Sequence, residues 1–504
     1  MREQKATGGK EMGYVRYTDL RGFVNELGEA GELQPVRAQV DWNLEVGALT
    51  RLICERRQPA PLFENIKDYP SYRMAGVLLG PGRPLHARLA MALGVDKETL
   101  PLELIEIVRQ RLRAPKEPVK VERNEAPCKE VILQGDDANL LSLPCPWIKE
   151  IDGGRYVGTW DIVVIKDPET GWVNWGTYRC MVKDEQSFAV LLIPAEQHGG
   201  GILRKYQAMG KPMPIALVIG ADPLSHLGAI APLDHGMSEV AAAGGLRGEG
   251  VRLVRCETSD LEVPADAEIV IEAEIVPGEV TEEGPFGEYT GHRAHHGLSP
   301  LARVKCITHR QNPIFTMANM GKPWDDWAVP ASILVSAVAK NRLEDHGIRI
   351  KACYGHAPVT TLVVSVNPRP GLTKKILSIL MSGERLFLAG TGIVFVDEDV
   401  DVTNLEDVWW AITTRMHPDR FEVLRDLPAN PLIPYLTPED RQRHVTSQWV
   451  MEATFPADWD ATYREAHTVV ADFAHAWSEK VQRQVLDRWT EYGYGEIEDD
   501  SMTR

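Results

Sequence analysis

Apolar and polar positions change their period several times along the chain, and each change marks an element or a boundary. Near Tyr17 a helical pattern begins behind Asp19, a residue type that caps helices, and runs to Leu27; 32–40 then alternates like a strand, and 44–56 returns to helical spacing. A strand over 61–65 and helices over 88–93 and 102–112 complete an opening of α/β character. Ahead of it, 1–13 has no period and is expected to be a loose tail. From about Lys116 the pattern shortens into β-rich runs broken by Gly, Pro and Asp, at 158–165, 173–183, 188–193, 215–219 and 269–275. That spacing predicts a barrel-like or sandwich-like β domain, with helices only at 202–209 and 238–243. Past Pro330 the α/β texture resumes with a helix at 331–342, a strand at 360–366, a helix at 373–381 and an apolar strand at 393–396. The clearest period comes last. Val469, Phe473, Trp477, Val481, Val485 and Trp489 recur every fourth residue, which predicts one long helix whose apolar stripe packs on its own core or on another subunit.

Composition narrows the function classes. A chain of 504 residues, 44% hydrophobic and 25% charged, is expected to form two or three globular domains. Its formal net charge of -17 speaks against a nucleic-acid partner, which needs clustered Lys and Arg to displace counterions. Seven cysteines, Cys54, Cys128, Cys145, Cys180, Cys256, Cys306 and Cys353, include no C-x-x-C pair, as suits a reducing compartment. The polar amino-terminal stretch lacks the apolar run of a signal peptide and the apolar runs elsewhere are strand-sized, so a cytoplasmic protein without membrane contact is expected.

The stretch from Glu282 through Gly291 reads EEGPFGEYTG; its three glycines and one proline exclude a regular helix and predict a loop bent around something close. Glu283 and Glu288 bracket the bend. Two carboxylates separated by Pro285 and Phe286 suit a pair with divergent proton affinities, one donating a proton and the other pairing with an Arg. A solvated acidic turn is the commoner fate of such a loop, and this stretch alone does not exclude it. Upstream, Asn174 opens a strand that runs on through Arg179, His198 follows another strand ahead of three glycines, and Glu239 opens a short helical pattern. An amide oxygen, an imidazole and a carboxylate together suit a divalent ion such as Mn2+. They are too widely spaced for that to be deduced, and each reads more simply as a hydrogen-bonded structural residue. The His292, His295 and His296 cluster lacks the H-E-x-x-H pattern of a zinc-binding helix. The glycine-rich 245–250 reads as a turn, the acidic 397–401 as a strand exit, and Asp325 and Asp326 as caps of the helix that follows.

Together these residues resemble the UbiD family nearly end to end. The segments that carry the likeness include DLRGFVNELGEAGEL from Asp19, LPCPWIKEIDGGRYV from Leu143, KDPETGWVNWGTYR from Lys166, SEVAAAGGLRGE from Ser238, EEGPFGEYTG from Glu282 and GKPWDD from Gly321. The resemblance implies an α/β multidomain fold: an N-terminal α/β region over 1–115, a central flavin-binding split β-barrel over 116–320, a C-terminal α/β domain over 321–458, and a terminal helix over 459–504 docked on a neighbouring subunit of a dimer or hexamer. It implies reversible non-oxidative decarboxylation of an aromatic, heteroaromatic or α,β-unsaturated carboxylic acid, with CO2 as the other partner, through a covalent adduct with prenylated FMN. A separate flavin prenyltransferase would supply that cofactor, and Mn2+ and K+ would bind its phosphate. Carried over residue by residue, the metal ligands fall on Asn174, His198 and Glu239 and the catalytic residues on Arg179, Glu283 and Glu288, with Glu288 as proton donor. The flavin contacts fall on Thr177, Tyr178, Arg179, Gln197 and His198 and on the backbone of Ala229, Ile230 and Ala231. Tyr289, Trp324, Trp327 and Ile333 are expected to line the substrate pocket. One segment departs from the family pattern: Ala389, Gly390, Thr391 and Gly392 stand where many relatives place a lysine close to the cofactor phosphate. Two other readings remain, a non-catalytic flavin-binding or assembly protein of the same fold and a metal hydrolase built on His292, His295 and His296.

Overall fold

A computed structural model describes residues 15–192, 198–294, 296–382 and 390–495; the expected tail at 1–13 lies outside them. The opening elements follow from local chemistry. The Asp19 side chain accepts from the Gly22 amide and starts the helix Leu20–Glu29, which buries Leu20, Phe23, Val24 and Leu27 on one face. Helices Glu45–Arg56 and Pro101–Leu112 also stand where the spacing predicts them. A four-stranded sheet joins Leu33–Val36, Ala60–Phe63 and Arg73–Gly76 to Ile314–Met317, a strand more than two hundred residues away in sequence.

The central sheet has nine strands, antiparallel throughout. Along its path Tyr156–Gly158 and Cys180–Asp184 stand at one end, and Asp161–Lys166 and Val173–Gly176 at the other. Only Thr177, Tyr178 and Arg179 separate Val173–Gly176 from Cys180–Asp184. A link that short reaches no more than about 14 Å, so the two ends of the sheet must curl together into a split barrel. The single strand expected over 173–183 is therefore two strands, because its middle crosses the seam of the barrel. The strand expected over 269–275 is longer, running as Ile269–Glu283 opposite Gly297–His309 and delivering Glu283 to the start of the bend.

Periodicity misses the helix Pro223–Ile230. It is buried on all sides from Pro223 to Ala229, so it has no polar face to create a helical period. The glycine-rich 245–250 is in part the end of the helix Glu239–Arg247, closed by Gly248 in the left-handed conformation. A five-stranded sheet, Ala352–His356, Thr361–Val366, Gly392–Asp397, Val445–Ala453 and Phe421–Pro428, completes the α/β multidomain fold. Among the described residues no helix is long and apolar enough to cross a membrane.

The long terminal helix does not form. Ala461–His467 and Glu479–Asp487 are separate helices, and Val469, Phe473 and Trp477 are exposed. Among the described residues the stripe finds nothing to cover, and short helices without tertiary packing are marginal. Between the two helices Asp472 instead bonds the backbone and ring of His475.

Candidate active site

The seam of the barrel brings the dispersed candidates together. Tyr178 lies over two glycines, since a Cβ at Gly176 or at Gly199 would fall within 2.8 Å of its side chain. Its hydroxyl donates to Asn174 Oδ1 at 3.1 Å and accepts from the Gly199 amide at 3.2 Å. That contact ties the strand Val173–Gly176 to the start of the helix His198–Met209. Glu239, the first residue of its helix, is fully buried; it accepts from Asn174 Nδ2 at 3.0 Å and from the Trp175 amide at 3.3 Å. His198 Nδ1 lies 3.8 Å from Glu239 Oε1, and both ring nitrogens of His198 are buried without a hydrogen-bond partner among the described residues. Asn174, His198 and Glu239 are thus gathered in one place, 65 residues separating the first from the last.

On the other side of the seam Arg179 takes Glu283 bidentately, Nε to Oε1 at 2.8 Å and Nη2 to Oε2 at 2.7 Å, and reaches Glu288 Oε1 with Nη1 at 2.6 Å. This is the planar fork matched to a carboxylate. All three side chains are buried. Burial alone would lower the Arg179 pKa, but the facing carboxylates of Glu288 and Glu283 outweigh it and hold the guanidinium firmly charged. The Tyr156 hydroxyl donates to Glu283 at 3.0 Å, so Glu283 is held from two directions while Glu288 opens on a cleft. The bend is no solvated turn.

The sequence reading missed what braces this bend. Asp152 accepts from the Gly287 amide at 2.8 Å and from the Lys149 amide at 3.0 Å, and the Gly153 amide donates to Pro285 O at 2.7 Å. A Cβ on Gly153 would stand 2.1 Å from Gly284 O, so only glycine fits there. The only signal in the sequence was the Asp152, Gly153, Gly154 triplet, which reads like any turn.

The cleft has a volume of about 230 Å³. Thr177, Tyr178, Arg179, Ala229, Ile230 and Glu288 line it, with Thr159 and Asp161 beside them; Ala231 is packed in the core, and Gln197 lies outside the described residues. The opposite wall is apolar and comes from Trp327, Ala331, Leu334 and Val335, with Val359 and Leu432. Of the expected pocket residues, Tyr289 and Trp327 line the cleft with ring centroids 4.2 Å apart, but Ile333 and Trp324 do not. Along the helix Ala328–Asp345 the cleft face carries 331, 334 and 335, and 333 points elsewhere by helical geometry. Trp324 instead lies edge-on to the buried His86. Asp325 does cap the helix, accepting from the Trp327 and Ala328 amides, whereas Asp326 binds the amides of Val77 and Leu79.

In the segment that departs from the family pattern, Ala389 lies outside the described residues. Gly390 accepts from Gln448, Thr391 bonds Thr360, and a Cβ on Gly392 would enter the Trp449 ring. His292 and His296 are exposed and His295 is outside the described residues; among the described residues no three His, Cys, Asp or Glu side chains gather as a metal site.

Known proteins share this fold. Three family models match in order: the 3-octaprenyl-4-hydroxybenzoate carboxy-lyase N-terminal domain over 24–108, its Rift-related domain over 119–323 and its C-terminal domain over 328–453. The chain is 34% identical to pyrrole-2-carboxylic acid decarboxylase of Pseudomonas aeruginosa over 498 residues, covering 95% of this chain and 99% of that one. The closed form of vanillic acid decarboxylase from Sedimentibacter hydroxybenzoicus superposes with a TM-score of 0.85 at 31% identity, covering 93% and 99%. The UbiD-class enzyme HmfF from Pelotomaculum thermopropionicum in complex with FMN superposes at 0.76 with 27% identity, covering 88% and 96%, and an evolved dimeric form in complex with prFMN at 0.74 with the same identity and coverage. With all three models matched across the same fold, this chain belongs to the UbiD family of carboxy-lyases.

Proposed function

We propose that the chain removes CO2 from an aromatic, heteroaromatic or α,β-unsaturated carboxylic acid in the cleft beside Arg179, with prenylated FMN as cofactor. The observation that carries this reading is the buried arrangement of one guanidinium between two carboxylates, one of them facing the cleft. When bound, prenylated FMN supplies the electron sink that takes up the electron pair released as CO2 leaves. In this reading Thr177, Tyr178, Ala229 and Ile230, all of which line the cleft, hold the flavin ring.

The donor set at the other end of the seam fits a divalent cation. Glu239 is a fully buried carboxylate that accepts from the Asn174 amide and the Trp175 backbone N–H, and His198 beside it has two ring nitrogens with no partner among the described residues. A cation such as Mn2+ satisfies both, with Asn174 ligating once its amide turns to present Oδ1. K+ and the cofactor phosphate belong to the same end in this reading.

Arg179 orients the substrate carboxylate while its fork keeps Glu283 in place. Glu288 delivers a proton to the carbon that loses CO2 and takes it back in the reverse direction, since it alone of the two carboxylates faces the cleft. The apolar wall of Trp327, Leu334 and Val335 excludes water and receives a flat ring. The test is co-expression with a flavin prenyltransferase, absorption spectroscopy, and a screen of aromatic acids for CO2 release. Glu288→Gln is expected to keep the flavin spectrum and metal but lose turnover; near-normal decarboxylation by that variant removes Glu288 as the donor.

A further inference from the structure

Asp161 is a carboxyl group where the barrel pattern calls for an apolar side chain. It shares its face of the strand Asp161–Lys166 with Val163 and Ile165, which are buried in the barrel core. It is 2% exposed, yet it borders the cleft between Thr159 and Gly176. The Tyr178 backbone N–H bonds the carboxyl, and Oδ2 is buried with no partner among the described residues. A Cβ on Gly158 would press within 3.1 Å of this carboxyl, so the neighbouring chain is kept bare to let the group sit there. An unpartnered polar atom in a barrel interior is a defect unless something arrives to bond it.

We propose that Asp161 is a flavin-binding residue whose free carboxyl oxygen hydrogen-bonds the carbonyl-bearing edge of the flavin ring. The inference rests on the flavin reading above. Desolvation pushes the Asp161 carboxyl well above the ordinary carboxylate range, opposed only by the Tyr178 N–H. Burial thus favours the neutral form, whose hydroxyl is a donor that a flavin carbonyl, an acceptor, completes.

The test uses the full chain titrated with FMN in the presence of Mn2+ and K+, followed by flavin fluorescence, with melting curves of the apoproteins. Asp161→Leu, matched in shape but unable to donate, is expected to bind FMN about 10-fold more weakly or worse while its apoprotein melts no lower than wild type. Asp161→Asn, which keeps a donor, is expected to restore most of the affinity. Infrared difference spectra on FMN binding should show a protonated-carboxyl band that shifts in the wild type and is missing from Asp161→Asn. FMN binding by Asp161→Leu equal to wild type, or no such band in the wild type, overturns the assignment and leaves the flavin reading standing. A wild-type chain that binds no FMN overturns both. A lowered apoprotein melting temperature in Asp161→Leu, with the affinity loss repeated in Asp161→Asn, makes the residue structural and overturns the inference.

Discussion

Gly153→Ala tests whether the position of Glu288 is set by the brace behind it. The added methyl would stand 2.1 Å from Gly284 O and 2.6 Å from Gly284 C, both backbone atoms, whereas ordinary contact begins near 3.4 Å. No side chain can swing aside, so the two backbones must part by about an ångström. Three bonds tie the bend to this segment or across itself: Gly153 N to Pro285 O at 2.7 Å, Gly287 N to Asp152 at 2.8 Å, and Ala294 N to Phe286 O at 2.7 Å. A shift of that size therefore carries Pro285 through Glu288 with it. Overpacking of this kind costs about 1–3 kcal/mol of stability, and a reacting group displaced by about 1 Å loses on the order of 100-fold in rate. The expected variant is folded, binds FMN near wild-type affinity, and shows kcat down about 100-fold with a much smaller change in KM. The assays are a denaturant melt, an FMN titration, and steady-state CO2 release. A folded Gly153→Ala enzyme with wild-type kcat refutes the claim that this contact positions Glu288.

Two further outcomes probe other parts of the molecule. Glu239→Ala is expected to lose bound Mn2+ and most of the cofactor, and full metal occupancy by elemental analysis of the purified variant removes Glu239 from the site. His226 lies stacked on Trp160 at 3.5 Å, and burial pushes its pKa down to about 3. Its unfolded form binds a proton below about pH 6.5 and the folded form does not, so its contribution to stability is complete above that pH and falls away as pH drops. The loss is about 2 kcal/mol by pH 5. His226→Phe should cancel that part of the acid destabilisation, and chemical denaturation showing the same loss from pH 7 to pH 5 in both proteins counts against it.

How much was legible follows the range of the interactions. Helices such as Leu20–Glu29 and Pro101–Leu112 declare themselves because caps and an apolar stripe are set within a few residues. The helix Pro223–Ile230 is as regular, but total burial erased its period. The terminal segment shows the converse: the strongest period in the chain produced no continuous helix, because a stripe is stable only against a partner, and among the described residues it has none.

The same division runs through the site. The amino-acid sequence by itself determined the residue types, a Gly/Pro bend bracketed by Glu283 and Glu288, an Asn, a His and a Glu of ligand character, and through ordered motifs the family to which the chain belongs. Only the tertiary structure decided that Arg179 meets Glu283 across 104 residues, that a three-residue seam closes the barrel and forms part of the cleft wall, and that Gly153 must be bare because Gly284 lies against it. Those facts depend on which strands end up as neighbours. Strand neighbours are chosen by closing the whole sheet, a constraint that no local window of sequence contains.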